Sequence, residues 1–228
     1  MVQAAAPLRL VMFDLDGTLI DTAPEIADAV NDTLAHCGLG SVQQQQVNDW
    51  IGYGTRSLLV QALAHVQART VQAVQADPAL HDIAAVFDRH YQQRCGTRSQ
   101  PYAHVLPVLQ TLAARGVRLA VVTNKEARYT ETVLRAHQLQ AQFDLVVSGD
   151  TLATKKPDPA GIAHCLAHCD VAAHQALFVG DSSIDAATAR NAGVPVWLLP
   201  YGYNMGQVVD ACGPDRVIPD MRALLTLV

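Results

Sequence analysis

The chain has 228 residues, half of them hydrophobic, and a formal net charge of -5 at pH 7. This length supports one hydrophobic core with a smaller second domain, and it excludes a fibrous or disordered chain. The small share of Lys and Arg argues against a nucleic-acid surface, which needs a concentrated basic face. We therefore expect a small, diffusing substrate and no nucleic-acid partner.

Five short β-branched runs mark candidate buried strands, and each ends in polar or glycine-rich residues. In chain order they are LRLVMFDLD, VRLAVVTN, FDLVVSGD, ALFVGDS and VPVWLLP. Amphipathic stretches with helical spacing lie among them at residues 104–115, 126–137, 159–168 and 183–192. Strands that alternate with helices predict an α/β fold with a doubly wound parallel sheet.

One interval breaks this alternation. From about residue 22 to residue 95 the pattern is almost wholly helical, with few Val or Ile clusters. We interpret it as a helical domain inserted between the first and second strands. The predicted division assigns residues 1–20 and 97–228 to the α/β core and residues 21–96 to the insertion.

Polar residues follow four of the predicted strands. They are Asp14, Asp16, Thr123, Asn124, Lys156, Asp181 and Asp185. In an open parallel sheet the ligand crevice lies outside the carboxyl ends of the strands. We therefore expect these side chains to meet on one rim.

The pair Asp14 and Asp16 is central, because alternate residues of an extended strand share a face and two like charges there repel. Magnesium suits such a site, since it takes hard oxygen ligands and keeps water and phosphate oxygens in its remaining positions. We expect ligands from the side chains of Asp14 and Asp181 and from the Asp16 carbonyl. Gly17, which follows directly, would let the backbone approach an anion and offer its N–H to phosphate.

Two further side chains suit a phosphoryl group. Lys156 brings a compact ammonium on a long stem, and Thr123 offers a hydroxyl donor at a strand tip. These groups and the metal would neutralise charge on the equatorial oxygens during in-line transfer, so a carboxylate nucleophile would suffice. Asn124 is assigned with them to phosphate or substrate binding. The alternative for Thr123 is a cap for the helix that begins near Lys125.

Four motifs carry a family resemblance: DLDGT, VVTN, KPDP and GDSSIDAATARNAG, in that order. They resemble the signature motifs of the haloacid dehalogenase superfamily. WIGYGTRSLL, KPDPAGI and the later YGYN are similar to the phosphoglycolate phosphatases of that superfamily. The resemblance implies a Rossmann-like core, a helical cap of the C1 type and magnesium-dependent hydrolysis of a small phosphate monoester, with 2-phosphoglycolate as the first candidate.

The same resemblance implies roles for individual residues. Asp14 would attack phosphorus and become an aspartyl phosphate. Asp16 would first protonate the departing oxygen and then accept a proton from the hydrolytic water. Lys156 and Thr123 would hold the phosphoryl group, and Asp181 would bind magnesium.

Two residues, Asp185 and Arg56, each have two alternative assignments. Asp185 is either a metal ligand or a residue that orients the metal's waters and Lys156. Arg56 follows a glycine-rich segment in the insertion and would grip a substrate carboxylate, although an arginine near a helix start is more often simply solvated. The cap would close over the pocket and expel water.

Other functions share parts of this pattern. A sugar-phosphate mutase would use the same aspartates and return the phosphoryl group to the substrate. A dehalogenase would not need the acid at Asp16, and a phospho-accepting receiver or binding module would use the aspartate and magnesium only as a switch. Sugar phosphates, pyrophosphate and pyridoxal phosphate remain alternative substrates.

The five cysteines are odd in number and scattered, which favours reduced thiols over a disulfide framework. The opening residues lack the basic region of a signal peptide, and no apolar run is long enough to cross a bilayer. We expect a cytoplasmic protein, monomeric or homodimeric, with no membrane partner. The HCLAHC segment at residues 164–169 offers an incomplete zinc set, so buried thiols beside partly exposed histidines are the favoured interpretation.

Overall fold

The computed structural model describes residues 7–228. The first six residues of the predicted core segment, and the part of the signal-peptide argument that falls on them, lie outside the described residues. The strands, numbered along the chain, are β1 (Leu10–Phe13), β2 (Ile20–Asp21), β3 (Gln100–Pro101), β4 (Arg118–Val122), β5 (Leu145–Val147), β6 (Ala176–Gly180), β7 (Val196–Leu198) and β8 (Arg216–Val217). Six of them form one parallel sheet in the order β5-β4-β1-β6-β7-β8.

The described part of the chain contains α-helices of five to fifteen residues. They are α1 (Ala23–His36), α2 (Gln44–Trp50), α3 (Thr55–Val66), α4 (Val71–Gln75), α5 (Leu80–Arg94), α6 (Val105–Ala114), α7 (Ala127–Ala136), α8 (Ala160–Cys169) and α9 (Ser183–Ala192). Short 3-10 helices cover Gln140–Gln142, Ala173–Gln175, Val209–Cys212 and Met221–Leu227. Within residues 7–228, every helix falls short of the length and apolarity that a membrane span requires.

The two faces of the central strand β1 show why the sheet is buried on both sides. Alternate residues of a strand point to opposite faces. Val11 and Phe13 join an apolar cluster that contains the buried residues of α6 and α7. Leu10 and Met12 join a second cluster with the buried Ile and Cys residues of α8 and the buried alanines of α9. The result is a three-layer, doubly wound α/β fold, which confirms the predicted fold class.

Strand β1 is shorter than its sequence run. It ends at Phe13, so Asp14 and Asp16 lie beyond the strand instead of on one face of it. Asp14 N still donates to Val179 O at 3.0 Å, which fixes the first aspartate against β6. The two carboxylates therefore separate toward different partners, a consequence that the alternation argument did not anticipate.

Five helices, α1 to α5, lie between β2 and β3, within the interval whose sequence pattern is helical. The sequence did not reveal β2 and β3, two-residue strands that pair antiparallel, with Ile20 opposite Pro101, at the two ends of this helical segment. The buried Glu25 reinforces the same junction: its Oε2 accepts hydrogen bonds from three backbone N–H groups of the returning chain, those of Gly96, Arg98 and Ser99. The entry and exit of the segment are thus tied together.

Candidate active site

The polar residues that follow the strands meet around one cleft at the carboxyl edge of the sheet, between that edge and the helical segment. Its lining residues come from both sides: Asp14, Asp16, Ile26, Ile51, Gly52, Gly54, Thr55, Leu58, Thr123, Asn124, Lys125, Asp181, Ser182 and Tyr203. Lys156 and Asp185 lie directly beneath it, buried. Of the residues assigned from the sequence, only Arg56 lies away from this group.

Lys156 is the buried cation beneath the cleft. Its Nζ lies 2.8 Å from Asp14 Oδ1 and 2.7 Å from Asp185 Oδ1. Burial alone would lower the pKa of this lysine, but the two carboxylates outweigh it and raise the pKa above its ordinary value. Lys156 is therefore held charged beside Asp14.

Asp185 is saturated by donors. While Oδ1 accepts from Lys156, Oδ2 accepts from the N–H of Asp181, the N–H of Ser182 and the Ser182 hydroxyl at 3.1, 3.1 and 2.7 Å. Ser182 returns the contact as the N-cap of α9, accepting from Asp185 N. Asp185 thus contributes to the N-terminal cap of α9 and also contacts the Lys156 ammonium.

Asp181 has one donor on each oxygen. Thr18 Oγ1 donates to Oδ1 at 2.5 Å, and the N–H of Tyr203 donates to Oδ2 at 2.6 Å. Burial, followed by the nearby charges of Asp185 and Asp14, raises the pKa of Asp181 well above its ordinary value. Neither donor carries a positive charge, so this carboxylate lacks a direct cationic partner among the described residues.

The three carboxylates of Asp14, Asp181 and Asp185 offer oxygens that all lie within 4.8 Å of one another. Burial raises the pKa of Asp14 to about 6, with Lys156 opposing and Asp185 adding to the shift. Three buried carboxylates against one ammonium leave an excess of negative charge, and an all-oxygen donor set suits a hard divalent cation. The residues present therefore fit a cation of that kind.

Asp16 has its own lysine, which the sequence analysis missed as a site residue. Lys125 Nζ donates to Asp16 Oδ1 and Oδ2 at 2.9 and 3.1 Å, and Thr22 Oγ1 donates to Oδ1 at 2.7 Å. The Lys125 side chain is 1% exposed. Burial would lower the pKa of Lys125, but the Asp16 charge outweighs it and raises that pKa. The sequence signal that could have identified Lys125 is its position directly after the VVTN motif.

Gly17 plays a different part from the one expected. Its N–H donates to the Ile20 carbonyl at 2.9 Å, so that N–H closes a turn and is not offered to an anion. Two other constraints explain the glycine: its φ is +86°, and a Cβ there would lie 2.4 Å from Asp181 Oδ2. Gly17 thus makes room for the carboxylate of Asp181.

Thr123 and Asn124 both lie in the cleft wall, buried. Thr123 Oγ1 accepts from Lys125 N at 3.3 Å, whereas α7 begins only at Ala127, so Thr123 does not cap that helix. Asn124 Nδ2 donates to Gly52 O and to Lys156 O at 2.8 and 3.0 Å. Asn124 therefore ties the helical segment to the loop that carries Lys156.

Arg56 is the sequence assignment that the structure does not support. It is exposed and lies in an outer groove with Tyr53 and Lys155, not in the lining of the cleft. The reason is the helical register of α3: Thr55 and Leu58 face the cleft, so Arg56 points away from it. Lys155 is exposed in the same groove and donates to Tyr53 O at 2.8 Å.

The YGYN segment contributes contacts that the sequence alone did not reveal. Besides the Tyr203 N–H on Asp181, the Tyr203 hydroxyl accepts from Ala23 N at 3.0 Å and contacts the Asp21 carboxylate. A Cβ on Gly202 would lie 2.3 Å from Asp181 Oδ2. The backbone of this loop therefore packs directly against the Asp181 carboxylate, and a side chain at position 202 would overlap it.

The HCLAHC segment lies away from the cleft, on α8. Cys165 and Cys169 are buried in the second apolar cluster, while His164 and His168 are exposed. Burial raises the pKa of the Cys165 thiol to about 12. The thiols are buried as expected, and the histidines, expected to be partly exposed, are exposed. Within residues 7–228 the possible metal-binding group is the aspartate triad.

Comparison with known proteins identifies the family of the chain that carries this cleft. A family model described as haloacid dehalogenase-like hydrolase matches residues 11–199. The chain therefore belongs to the haloacid dehalogenase-like hydrolases, which confirms the resemblance seen in the four motifs.

Individual relatives show a more specific similarity within this family. The chain is 36% identical over 222 residues to a phosphoglycolate phosphatase from Nitrosospira multiformis, covering 97% of this chain and 96% of the relative. It is 38% identical over 217 residues to a phosphoglycolate phosphatase from Pseudomonas putida, covering 95% and 78%. Among solved structures, that of a predicted phosphoglycolate phosphatase from Haemophilus somnus superposes with a TM-score of 0.87 at 29% identity, covering 96% of this chain and 97% of the other.

Proposed function

We propose that this chain is a phosphoric monoester hydrolase that converts 2-phosphoglycolate to glycolate and phosphate through a phosphorylated Asp14. The observation that carries the proposal is the Asp14 carboxylate at the floor of the cleft, with Lys156 Nζ at 2.8 Å and the Asp181 carboxylate nearby. The substrate assignment comes from the relatives, which are named phosphoglycolate phosphatases and match nearly the whole chain.

The chemistry divides between two aspartates. A carboxylate oxygen of Asp14 would form a bond to phosphorus while the bond from phosphorus to the leaving oxygen breaks, and that oxygen would take its proton from Asp16. Asp16, now ionised, would accept a proton from the water that attacks phosphorus, which releases phosphate and restores Asp14. Thr22 and Lys125 hold the Asp16 carboxylate in position for both steps.

The phosphoryl group would be held by groups that surround Asp14. Lys156 would stabilise its oxygens electrostatically, and Thr123 and Asn124 form the wall at the same end of the cleft. Gly17 supports this end by making room for Asp181, in place of the N–H donation expected from sequence.

Magnesium is the proposed cofactor. The carboxylates of Asp14 and Asp181 and the backbone carbonyl of Asp16 would hold it, while Asp185, whose oxygens already accept four contacts, would act by holding Lys156. When bound, the ion would offset the negative charge of the reacting phosphoryl oxygens. The excess of carboxylates over cations around Asp14 supports this assignment.

The helical segment is proposed to be a separate cap domain, residues 21–96, over a core of residues 1–20 and 97–228. Three hydrogen bonds join its 52–55 loop to the sheet side: Asn124 to Gly52, Lys155 to Tyr53 and Thr55 to Glu126, at 2.8, 2.8 and 2.7 Å. The loop thus lies across the cleft, where it would exclude water during the reaction.

The setting of the enzyme is proposed as cytoplasmic. All five cysteines are free thiols in the structure, which suits a reducing compartment. Its partner would be the small phosphate ester alone, with no nucleic acid or membrane. We propose a monomer or homodimer, which light scattering on the purified protein distinguishes.

A substrate panel tests the function. Purified protein is assayed with 2-phosphoglycolate, a sugar phosphate, pyrophosphate and pyridoxal phosphate, with magnesium and again with chelator. We expect phosphoglycolate to give the highest kcat/KM and the chelator to abolish turnover. A phosphoglycolate rate well below the others would overturn the substrate assignment, and a returned phosphoryl group on a sugar phosphate would indicate a mutase.

A second measurement tests the intermediate. Acid-quenched wild-type protein should gain the mass of one phosphoryl group during turnover, and Asp14→Asn should gain none. We expect that substitution to lower kcat by roughly a thousandfold or more, because the nucleophile is lost. Unchanged turnover in Asp14→Asn would overturn the mechanism.

A further inference from the structure

Lys125, which the proposed reaction uses only to hold Asp16 in position, also lines the cleft itself. Among the described residues that line it, Lys125 alone carries a positive charge. On the side of the helical segment, the side chains of the wall are uncharged: Ile26, Ile51 and Leu58 are apolar, and Thr55 carries a hydroxyl. A second anionic group on a substrate therefore has a single cationic partner available in this cleft.

The position of Lys125 relative to Asp16 defines which substrate group it meets. In the proposed reaction Asp16 contacts the leaving oxygen, and Lys125 Nζ lies 2.9 and 3.1 Å from the two Asp16 oxygens. A carboxylate joined to the leaving oxygen through one carbon, as in a 2-phosphooxy acid, lies next to that oxygen. The carboxylate and the ammonium are thus brought to the same side of the cleft.

The Lys125 ammonium has one N–H donor that Asp16 does not occupy. A lysine carries three N–H donors, and Asp16 supplies two acceptors. On another side Nζ lies 5.1 Å from the centre of the Tyr91 ring, which attracts a cation but occupies no N–H in a conventional hydrogen bond. Because the side chain is buried, its contact with a carboxylate is poorly screened by solvent.

Arg56 lacks these properties. It is exposed in the outer groove on the far side of the 52–55 loop, beside Lys155. An exposed cation is screened by water and contributes little to selectivity. The two candidate cations are therefore distinguished by their placement on opposite sides of one loop.

We infer that Lys125 is the specificity-determining residue of this cleft, and that it receives the carboxylate of a 2-phosphooxy acid. This inference rests on the proposed function, since it assumes that phosphate chemistry occurs at Asp14. It replaces Arg56 as the carboxylate receptor. It also selects for spacing, because a substrate with an additional carbon between the leaving oxygen and the carboxylate moves that carboxylate away from Lys125.

The experiment compares 2-phosphoglycolate with 2-phosphoglycolamide, in which a neutral amide replaces the carboxylate. The quantity measured is the ratio of their kcat/KM values. Wild type should prefer the acid, and Lys125→Met should lower the ratio roughly 10- to 100-fold, the range of one charged hydrogen bond. Any damage to Asp16 from the loss of its partner affects both substrates and cancels in the ratio.

Two matched variants complete the test. Lys125→Arg keeps the charge and should restore part of the preference, whereas Arg56→Gln should leave the ratio unchanged. An unchanged ratio in Lys125→Met, or a lost preference in Arg56→Gln, would overturn the inference. If the wild-type protein does not hydrolyse phosphoglycolate at all, the proposed substrate is wrong. The wild-type assay alone shows this, so the two failures are distinguishable.

A binding measurement covers the case in which Lys125→Met does not fold. Glycolate and glycolamide are titrated as competitive inhibitors of wild type and of Arg56→Gln. Glycolate should bind more tightly than glycolamide to both proteins, since Lys125 is intact in each. Equal inhibition by the two compounds, or a glycolate advantage that disappears in Arg56→Gln, would contradict the assignment.

Discussion

The backbone N–H of Tyr203 donates a 2.6 Å hydrogen bond to the Oδ2 atom of Asp181. The hydroxyl of the same tyrosine accepts from Ala23 N and contacts the Asp21 carboxylate, where the chain enters the helical segment. One residue thus connects a proposed metal ligand with the start of the proposed cap. The connection uses two chemically separate groups, so they can be tested separately.

Tyr203→Phe removes the hydroxyl and keeps the N–H. We expect the free energy of unfolding to fall by about 1–2 kcal/mol, because a buried N–H and a carboxylate lose a partner. Magnesium affinity should stay nearly unchanged. Urea unfolding and magnesium titration measure the two quantities, and Tyr53→Phe, on an exposed tyrosine, is the matched control. A large loss of magnesium affinity in Tyr203→Phe would contradict this separation of roles.

Asp181 and Asp185 should respond differently to the same substitution. Asp181→Asn removes charge from a carboxylate that has no cationic partner within residues 7–228, so we expect magnesium to bind roughly tenfold or more weakly. Asp185→Asn removes a partner of Lys156, so we expect kcat to fall with a smaller effect on magnesium affinity.

Calorimetric magnesium titration and steady-state kinetics on both variants check this pair. The contrast matters because both aspartates belong to the same carboxylate triad and were not separable from the sequence. Equal losses of magnesium affinity would indicate that Asp185 is a direct ligand as well.

The sequence predicted most of the fold and most of the residues around the cleft. Strand runs and helical periodicity are local signals, and the rule that ligands bind at the carboxyl ends of parallel strands converts them into a site. Asp14, Lys156 and Asp181 were found in that way. The structure places Arg56 in the outer groove instead of the cleft lining, because a glycine-rich setting does not say which face of α3 meets the cleft.

The missed features depend on contacts between distant parts of the chain. Lys125 becomes a site residue only through Asp16, which is 109 positions away. The β2 and β3 pair involves two residues on each side, too few to produce a periodic pattern. Glu25 likewise gains its role from backbone N–H groups more than 70 positions later. No local pattern encodes such relationships.

Magnesium should stabilise the protein more near neutral pH than in acid. Burial raises the pKa of Asp14 from 3.8 to about 6, so the folded protein keeps a proton there that the unfolded chain has already released. The stability contributed by this site is therefore complete below about pH 4 and is lost as the pH rises through about 6. A bound cation takes the place of that proton.

Thermal unfolding at about pH 5 and about pH 7.5, with and without magnesium, measures the effect. The increase in Tm caused by magnesium should be larger at the higher pH. For the metal-free protein, Asp14→Asn should lose less stability than wild type over this interval, by about 1.4 kcal/mol, because only the rise from about pH 5 to the pKa of about 6 contributes and one pKa unit corresponds to about 1.4 kcal/mol. An equal magnesium effect at both pH values would exclude proton competition at this site.

Gly17→Ala tests the close approach between the turn after Asp16 and the Asp181 carboxylate. The new Cβ would lie 2.4 Å from Asp181 Oδ2 and would also occupy a backbone position with φ of +86°. We expect a loss of unfolding free energy of about 2–4 kcal/mol from strain and overlap together, and weaker magnesium binding because Asp181 must move.

Gly38→Ala separates the two causes. Gly38 has a similar φ of +68°, but a Cβ there meets no atom within 4 Å, so this variant carries the backbone strain without the overlap. It should lose only about 1 kcal/mol and retain full magnesium affinity. Chemical denaturation and magnesium titration of both variants give the comparison. Equal losses of stability would mean that the left-handed conformation, and not the contact with Asp181, is what requires glycine at position 17.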